Sequence, residues 1–172
     1  HTPSDQPITI VSGLPRSGTS MMMQMLEAGG VPILCDGVRA ADQDNPEGYL
    51  EFEPAKRTKD DPSWLASARG KAVKAIYALL YDLPSDHTYR IIFMQRPLDE
   101  VVASQQAMLE RTGKQGAATD TARLADIFRR ELERTEQWLT TQDNMSVCYV
   151  SYHDVLADPG EQCAGVAEFL GG

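Results

Sequence analysis

The sequence predicts a three-layer α/β fold, with a central parallel sheet covered by helices on both faces. Two observations support this prediction: short apolar segments alternate with longer helical segments, and the alternation contains no internal repeat. A chain of 172 residues buries about 70% of its unfolded surface on folding and needs no disulfide or metal to stabilise its core. We therefore expect residues 1–172 to form a single domain.

Short runs of apolar and β-branched residues predict the strands of this sheet. In chain order they cover residues 8–12, 31–34, 71–76, 89–95 and 146–151. Continuous apolar runs of this length are typical of parallel strands, because helices bury both of their faces. We therefore expect these runs to form the sheet.

Helical segments lie between the predicted strands. They cover residues 19–28, 51–69 (interrupted by two prolines), a short helix ending at Leu83, residues 97–112, residues 121–139 and a final helix ending at Leu170. Gly29 and Gly30 end the first of them, and Pro97 opens a later one at its first position. The polar loop at residues 35–49 is long enough to have a function, and a Gly/Ala/Thr loop follows residue 112.

The charge balance of the chain excludes several classes of partner. Sixteen Lys and Arg against 25 Asp and Glu give a net charge of −9. Proteins that bind nucleic acids or anionic membranes need a basic surface, so neither kind of partner is expected. The longest apolar run, residues 75–81, is far shorter than the roughly 18 residues that a membrane span requires. We therefore expect no membrane association.

The cysteines indicate a reducing compartment. Cys35, Cys148 and Cys163 are odd in number, widely spaced and outside any metal-ligand pattern. Three free thiols are typical of a cytoplasmic protein, and no signal-peptide pattern is visible. His87 and His153 are isolated in the sequence, so no metal site is expected.

The strongest functional signal is a glycine-rich loop between the first strand and the first helix. Gly13 and Gly18, followed by Thr19 and Ser20, have the spacing of a Walker A loop, with Thr19 in place of its lysine. Such glycines let backbone amides wrap an anion, and the helix N-terminus adds about half a positive charge. Arg16 can supply the missing cation. The alternative is an ordinary strand–helix turn, but these residues together exceed what a turn needs, so the loop predicts a P-loop NTPase-like anion site.

A second signal follows the strand at residues 89–95. Arg96 stands at the carboxyl end of that strand, and Ser104 comes eight residues later in the next helix. Ligands of open α/β sheets bind at this edge, where an arginine can take a phosphate with two hydrogen bonds. Judged from these residues by themselves, an ion pair of Arg96 with Asp99 or Glu100 is an equally good interpretation.

Taken together, these motifs resemble the P-loop-like sulfotransferases. The similarity is greatest to tyrosylprotein and bacterial members with a Pro-Arg-Ser-Gly-Thr loop. The matching residues are 15–20 for that loop, Arg96 and Ser104 for the family's Arg-x7-Ser pair, and 150–159 with 169–171 for its Tyr-Glu-Asp-Leu…Asp-Pro…Phe-Leu-Gly ending. Three motifs in the same order over residues 8–171 are much more specific than any single one.

The resemblance implies a donor, a product and a set of binding residues. The donor is 3′-phosphoadenosine 5′-phosphosulfate (PAPS), the product is 3′-phosphoadenosine 5′-phosphate (PAP), and no metal is required. The sulfuryl group passes to a hydroxyl or amine of a small-molecule, glycan or peptide acceptor. The implied binding residues are Arg16, Ser17, Gly18, Thr19 and Ser20 for the 5′-phosphosulfate, Arg96 and Ser104 for the 3′-phosphate, and Tyr152 beside the nucleotide.

The resemblance also implies catalytic residues. Lys74 lies in the region where family members carry a catalytic Lys or His, although it could also be a strand-edge lysine in solvent. Relatives use a Glu about twenty residues beyond the loop arginine as general base, and here Asp36 stands at that distance. Glu51 and Glu53 are rivals, and it stays open that none of the three is the base.

Two other functions compete with this interpretation. A P-loop kinase or NTPase would want a lysine at Thr19 and a metal-binding Asp at the end of the 89–95 strand, and the chain has neither. A non-catalytic nucleotide-binding module is the other alternative. The chain stops at Gly172, whereas many relatives continue into a segment that closes over the nucleotide, so a truncated domain would bind without turnover.

Overall fold

A computed structural model describes residues 6–113 and 120–172, so most of the Gly/Ala/Thr loop expected after residue 112 lies outside the described residues. The strands of the sheet are β1 (Ile8–Gly13), β2 (Ala72–Lys74), β3 (Tyr89–Gln95) and β4 (Met145–Ser151). The α-helices are α1 (Thr19–Ala28), α2 (Leu65–Ala68), α3 (Leu98–Arg111), α4 (Thr121–Leu139), α5 (Tyr152–Ala157) and α6 (Pro159–Leu170). Two 3₁₀ helices span Glu53–Arg57 and Tyr77–Asp82.

The four strands form one parallel sheet in the order β2-β1-β3-β4. The strand register brings the carboxyl ends of all four to one edge. The pairs nearest that edge are Val11 with Lys74, Gly13 with Met94, and Gln95 with Ser151. The segments that follow these strands therefore meet at this edge, which is where open α/β sheets bind their ligands.

Residues that alternate along the strands divide the core into two layers. Ile10 and Ile91 face one side, where α2, α4 and the 3₁₀ helices cover the sheet. Val11 and Ile92 face the other side, where α1, α5 and α6 pack. The three-layer α/β fold predicted from the sequence is therefore confirmed. In the described residues no helix is long and apolar enough to cross a membrane.

The segment 31–34 was expected to be a strand, and this expectation is wrong. It forms a single parallel bridge between Ile33 and Ala72 at the edge of β2. Leu34 donates its amide to the Ala72 carbonyl at 2.9 Å, and Ala72 donates to the Pro32 carbonyl at 2.8 Å. Pro32 has no amide hydrogen, so the ladder cannot continue toward the N-terminus. On the other side the Asp36 amide donates to the Glu51 carbonyl at 3.2 Å instead.

The long helical segment expected at residues 51–69 is also shorter than expected. Only the 3₁₀ helix Glu53–Arg57 and the four residues of α2 are helical. Pro54 is the second residue of the first of them, and Pro62 stands between the two. Proline removes a helical hydrogen bond and crowds the preceding turn, so the segment breaks into two short pieces.

Candidate functional site

The loop between β1 and α1 is a tight turn that only glycine permits at two positions. Gly13 has φ +143° and Gly18 has φ +100°. A Cβ at Gly13 would lie 2.8 Å from the carbonyl oxygen of Met94, and one at Gly18 would lie 2.8 Å from Cδ2 of Tyr152. The glycines therefore allow the loop to pack directly on β3 and on the start of α5.

Ser17 and Arg16 point in different directions from this loop, Ser17 into the turn and Arg16 to the cavity. The Ser17 hydroxyl is buried and donates a 2.6 Å hydrogen bond to the Leu14 carbonyl, so it shapes the turn. Arg16 adopts a left-handed backbone conformation with φ +65°. That conformation costs a non-glycine residue about 1 kcal/mol, which other contacts must offset. It turns the Arg16 side chain to a cavity above the loop.

This cavity has a volume of about 670 Å³ and lies at the carboxyl edge of the sheet. Its size is within the range of ordinary small-molecule sites. Cationic side chains dominate its wall: Arg16, Arg39, Lys56, Lys74 and Arg96, against the carboxylates of Asp44 and Glu51. An acidic protein thus carries a locally positive cavity, which favours an anionic ligand.

The sequence-derived candidates divide into two groups around this cavity. Those in its wall are Arg16, Gly18, Thr19, Ser20, Glu51, Lys74, Arg96 and Tyr152. Ser17, Asp36 and Ser104 lie outside the wall that the described residues form.

Lys74 ends β2 and points into the cavity wall. Its Nζ donates to the Ser20 hydroxyl at 2.8 Å and to the Tyr49 carbonyl at 2.9 Å. Burial lowers the pKa of the Lys74 ammonium to about 8, and the charge of Glu51 only partly opposes this shift. Lys74 is therefore a cation at neutral pH that loses its charge within a mildly alkaline range.

Arg96 leaves the end of β3 and holds the loop. One guanidinium nitrogen, Nη1, donates to the carbonyl oxygen of Arg16 at 3.0 Å. The guanidinium carbon lies 4.4 Å from the centre of the Tyr152 ring, in a cation–π contact. Among residues 6–113 and 120–172, its Nε is buried and has no hydrogen-bond partner. A buried donor of this kind is costly unless a ligand accepts from it.

Asp36 is an exposed residue that organises its own loop. Its Oδ1 accepts from the Val38 amide at 3.1 Å, and its Oδ2 accepts from the Glu53 amide at 2.7 Å. Slight burial raises the pKa of the Asp36 carboxyl, but the hydrogen bonds from these two amides outweigh it and lower the pKa. Both carboxylate oxygens are therefore already engaged by the backbone.

Glu51 lies in the cavity wall, with 15% of its side chain exposed. Its carboxylate forms ion pairs with Arg39 at 2.9 Å and with Lys56 at 2.8 Å. Burial by itself raises the pKa of this carboxyl, but the hydrogen bond from Lys56 and the charge of Lys74 outweigh burial and lower it. Glu51 is thus ionised at neutral pH, beside Lys74. Glu53 pairs with Lys56 at 2.6 Å and is more exposed.

Sequence reasoning missed two of the cavity's cations, Arg39 and Lys56, and the aromatic ring of Tyr49. Arg39 stacks its guanidinium 3.4 Å from the centre of the Tyr49 ring, and the Tyr49 hydroxyl donates to the Asp42 carboxylate at 2.8 Å. Lys56 reaches the cavity from the 3₁₀ helix Glu53–Arg57. No motif marks these residues. The only available signal is the presence of basic side chains in a polar loop of an acidic chain.

Comparisons with known proteins place this architecture among the sulfotransferases. No protein-family model matches the chain, and no curated protein matches it significantly. The sulfotransferase domain of the Synechococcus PCC 7002 olefin synthase matches with a TM-score of 0.57 and 16% identity, over 98% of this chain and 74% of that one. Sulfotransferase STF1 from Mycobacterium tuberculosis H37Rv matches with a TM-score of 0.61 and 17% identity, over 97% and 68%.

A retinol dehydratase in complex with retinol and PAP matches with a TM-score of 0.50 and 21% identity, over 98% of this chain and 60% of that one. These likenesses show that the chain has the fold of the sulfotransferases, a P-loop NTPase-like α/β fold. The fold implied by the resemblance in the sequence is therefore confirmed.

Proposed function

We propose that this protein is a sulfotransferase that transfers the sulfuryl group of PAPS to an acceptor hydroxyl or amine. One observation carries the proposal: Arg16, Lys74 and Arg96 come from three different strand ends and converge on one cavity. This convergence of cations suits a donor that is anionic at both ends. The sulfotransferase fold and the PAP-bound retinol dehydratase of the same fold support this choice of donor.

The residues around the loop fit the donor nucleotide. Arg16, Gly18, Thr19 and Ser20 hold its 5′-phosphosulfate, with Ser17 shaping the turn from below. Arg96 binds the 3′-phosphate together with Ser104, and Tyr152 lies beside the nucleotide. The unpartnered Nε of Arg96 and the loop's need for glycine are the two features that support this fit.

Glu51 is the general base in this proposal. It takes the proton of the acceptor hydroxyl while the acceptor oxygen bonds to sulfur, and the bond from sulfur to the phosphate oxygen of PAP breaks. Glu51 is favoured over Asp36 because it lies in the cavity wall beside Lys74, whereas Asp36 lies outside the wall that the described residues form. Lys74 and Arg16 stabilise the negative charge that develops around the transferred group, and no metal is needed.

Thermal shift with PAP is the direct test of this function. Ligand at about 100 times its dissociation constant stabilises a protein by about 2.7 kcal/mol, which is easily measured. We expect a shift with PAP in the presence of EDTA and none with Mg·ATP. A shift with Mg·ATP alone would instead assign the chain to the kinases and NTPases. No shift with either ligand would refute nucleotide binding.

The acceptor and the compartment belong to the same proposal. A screen of alcohols, phenols, sugars, peptides and amines for transfer of labelled sulfate from PAPS identifies the acceptor, while PAP binding without transfer to any would favour a non-catalytic nucleotide-binding module. We propose the cytoplasm as the compartment, since Cys35, Cys148 and Cys163 are all free thiols.

Binding of PAP should weaken about tenfold between pH 7 and pH 9, because Lys74 loses its charge within this interval. Its pKa of about 8 makes it cationic below that pH and neutral above it. The phosphates of PAP have a second pKa of about 6, so they gain little further charge over this range and add only a small slope of their own. Isothermal titration calorimetry at half-unit pH steps measures the effect.

Two variants isolate the contribution of Lys74. Lys74→Arg keeps its charge throughout, and Lys74→Met never has one, so PAP affinity should be nearly independent of pH in both. A wild-type slope in either variant would show that a different group titrates.

A further inference from the structure

Tyr49 is buried at the end of the polar loop, two residues before Glu51. Its backbone carbonyl accepts hydrogen bonds from the Lys74 ammonium at 2.9 Å and from the Ser20 hydroxyl at 3.3 Å. Its hydroxyl donates to the Asp42 carboxylate at 2.8 Å, within the same loop. Tyr49 therefore joins the polar loop to α1 and to β2.

The Tyr49 ring supports a cation that pairs with Glu51. The guanidinium carbon of Arg39 lies 3.4 Å from the centre of this ring, and its Nη1 lies 2.9 Å from the Glu51 carboxylate. Of the Arg39 side chain, 41% is exposed. A long side chain at the surface loses rotamer freedom when it is held in one place, and the cation–π contact with the ring helps to offset that cost. The ring therefore keeps the guanidinium beside Glu51.

The backbone between Tyr49 and Glu51 is strained. Leu50 adopts a left-handed conformation with φ +51°, which costs a non-glycine residue about 1 kcal/mol. Its side chain packs on the core layer that contains Val11 and Ile92. Strained backbone of this kind persists only where the surrounding contacts over-determine it. The contacts that Tyr49 makes at its carbonyl, hydroxyl and ring supply such constraints directly beside Glu51.

We propose that Tyr49 is a positioning residue for Glu51: its ring holds the Arg39 guanidinium against the carboxylate, while its carbonyl ties the chain to Lys74. This inference rests on the proposed function, in which Glu51 is the general base. In the described residues, the charged side chains that face Glu51 are Arg39 from the polar loop, Lys56 from the 3₁₀ helix and Lys74 from β2. Of these three, Arg39 is the one that the ring contacts most closely.

The position of Arg39 contributes to the basicity of Glu51. Burial raises the pKa of the Glu51 carboxyl, but the pairing with Lys56 and the charges of Lys74 and Arg39 outweigh burial and lower it. Without the ring, Arg39 can turn into solvent. The pKa of Glu51 should then rise by about half a unit, the value of one half-exposed ion pair. The acid limb of sulfuryl transfer should move to higher pH by the same amount, because a protonated Glu51 cannot take a proton.

The experiment is an NMR titration of the Glu51 carboxyl carbon in the ligand-free protein, with Glu51→Gln identifying the resonance. Tyr49→Leu removes the ring and should raise the pKa of Glu51 by about half a unit. Tyr49→Phe removes only the hydroxyl and should leave this pKa within about 0.2 units of wild type. If the leucine variant does not fold, Tyr49→Met takes its place, because methionine fills irregular gaps. An unchanged pKa of Glu51 in the variant without the ring would overturn the inference.

Tyr149→Leu is the matched control for the loss of a tyrosine ring. Tyr149 is 42% exposed on β4, and its ring contacts Phe93 outside the cavity wall that the described residues form. The pKa of Glu51 should therefore keep its wild-type value in this variant. A rise as large as that in Tyr49→Leu would show that the effect is not specific to Tyr49, and would overturn the inference.

A double-mutant cycle tests whether Tyr49 acts through Arg39. Arg39→Met removes the guanidinium and should by itself raise the pKa of Glu51 by about half a unit. If the ring acts through Arg39, adding Tyr49→Leu to Arg39→Met should change this pKa by less than about 0.2 units further. Equal shifts in the two backgrounds would show that Tyr49 affects Glu51 independently of Arg39, which contradicts the inference.

The NMR titration needs no ligand, so the inference and the proposed function can fail separately. A wild-type protein that binds PAP, with an unmoved pKa of Glu51 in Tyr49→Leu, keeps the proposed function and overturns the inference. A wild-type protein that binds no PAP, with the expected rise in Tyr49→Leu, refutes the proposed function, while the electrostatic link from Tyr49 through Arg39 to Glu51 stands.

Discussion

Replacing Glu51 with glutamine should lower kcat by about 10²- to 10⁴-fold, the usual contribution of a general base. Glutamine keeps the shape of the side chain but cannot accept the acceptor's proton. Glu51 also helps to keep Lys74 charged, so PAP affinity is compared in mildly acidic buffer, where Lys74 is a cation in both proteins. There the affinity should not fall, because the loss of a carboxylate leaves the cavity beside Arg39, Lys56 and Lys74 more positive. Steady-state transfer of labelled sulfate to the acceptor found by screening gives kcat, and calorimetry gives PAP affinity.

Asp36→Asn is the matched comparison for this variant. It makes the same chemical change in a neighbouring carboxylate that caps the amides of Val38 and Glu53. We expect kcat within about threefold of wild type and a loss of roughly 1 kcal/mol in unfolding free energy, because the asparagine amide group cannot accept one of the two hydrogen bonds. The reverse result, with Asp36→Asn inactive and Glu51→Gln active, would make Asp36 the base. Full activity in both would exclude both.

The difference between these carboxylates shows where sequence reasoning stops. Both follow the glycine-rich loop at plausible distances, and spacing along the chain favours Asp36. The segment that carries them, residues 35–52, contains no regular secondary structure. Its path is therefore determined by side-chain contacts. Examples are the hydrogen bond that the Asp36 carboxylate accepts from the Glu53 amide and the ion pairs of Glu51. Periodicity and propensity carry no information about such contacts.

Local sequence patterns do predict the regular helices and strands. β1, α1 and β3 are predictable within one residue, because their β-branched runs, glycine stops and helix caps act locally. The carboxyl ends of parallel strands lie at the same edge of a sheet. The fold class alone therefore predicts that Lys74 and Arg96 converge with the glycine-rich loop. It does not predict the contact between Arg16 and Ser104, which depends on how α3 packs beside the loop.

Arg96→Ala should weaken PAP binding by about a hundredfold, which is the expected loss when a half-buried guanidinium no longer pairs with a phosphate. Adenosine 5′-phosphosulfate lacks the 3′-phosphate and should lose only about fivefold in affinity. We expect this smaller loss because Arg96 also anchors the Arg16 carbonyl, so its removal loosens the loop that holds the 5′ group.

Arg129→Ala is the control for the change in net charge. Arg129 is exposed on α4 and pairs with Asp126 within the same helix, so its loss should leave both affinities unchanged. Equal losses for the two nucleotides in Arg96→Ala would remove Arg96 from the 3′-phosphate site and leave it only as a support of the loop. A hundredfold loss for PAP would assign Arg96 to the 3′-phosphate, and the smaller loss for adenosine 5′-phosphosulfate would measure its support of the loop through the Arg16 carbonyl.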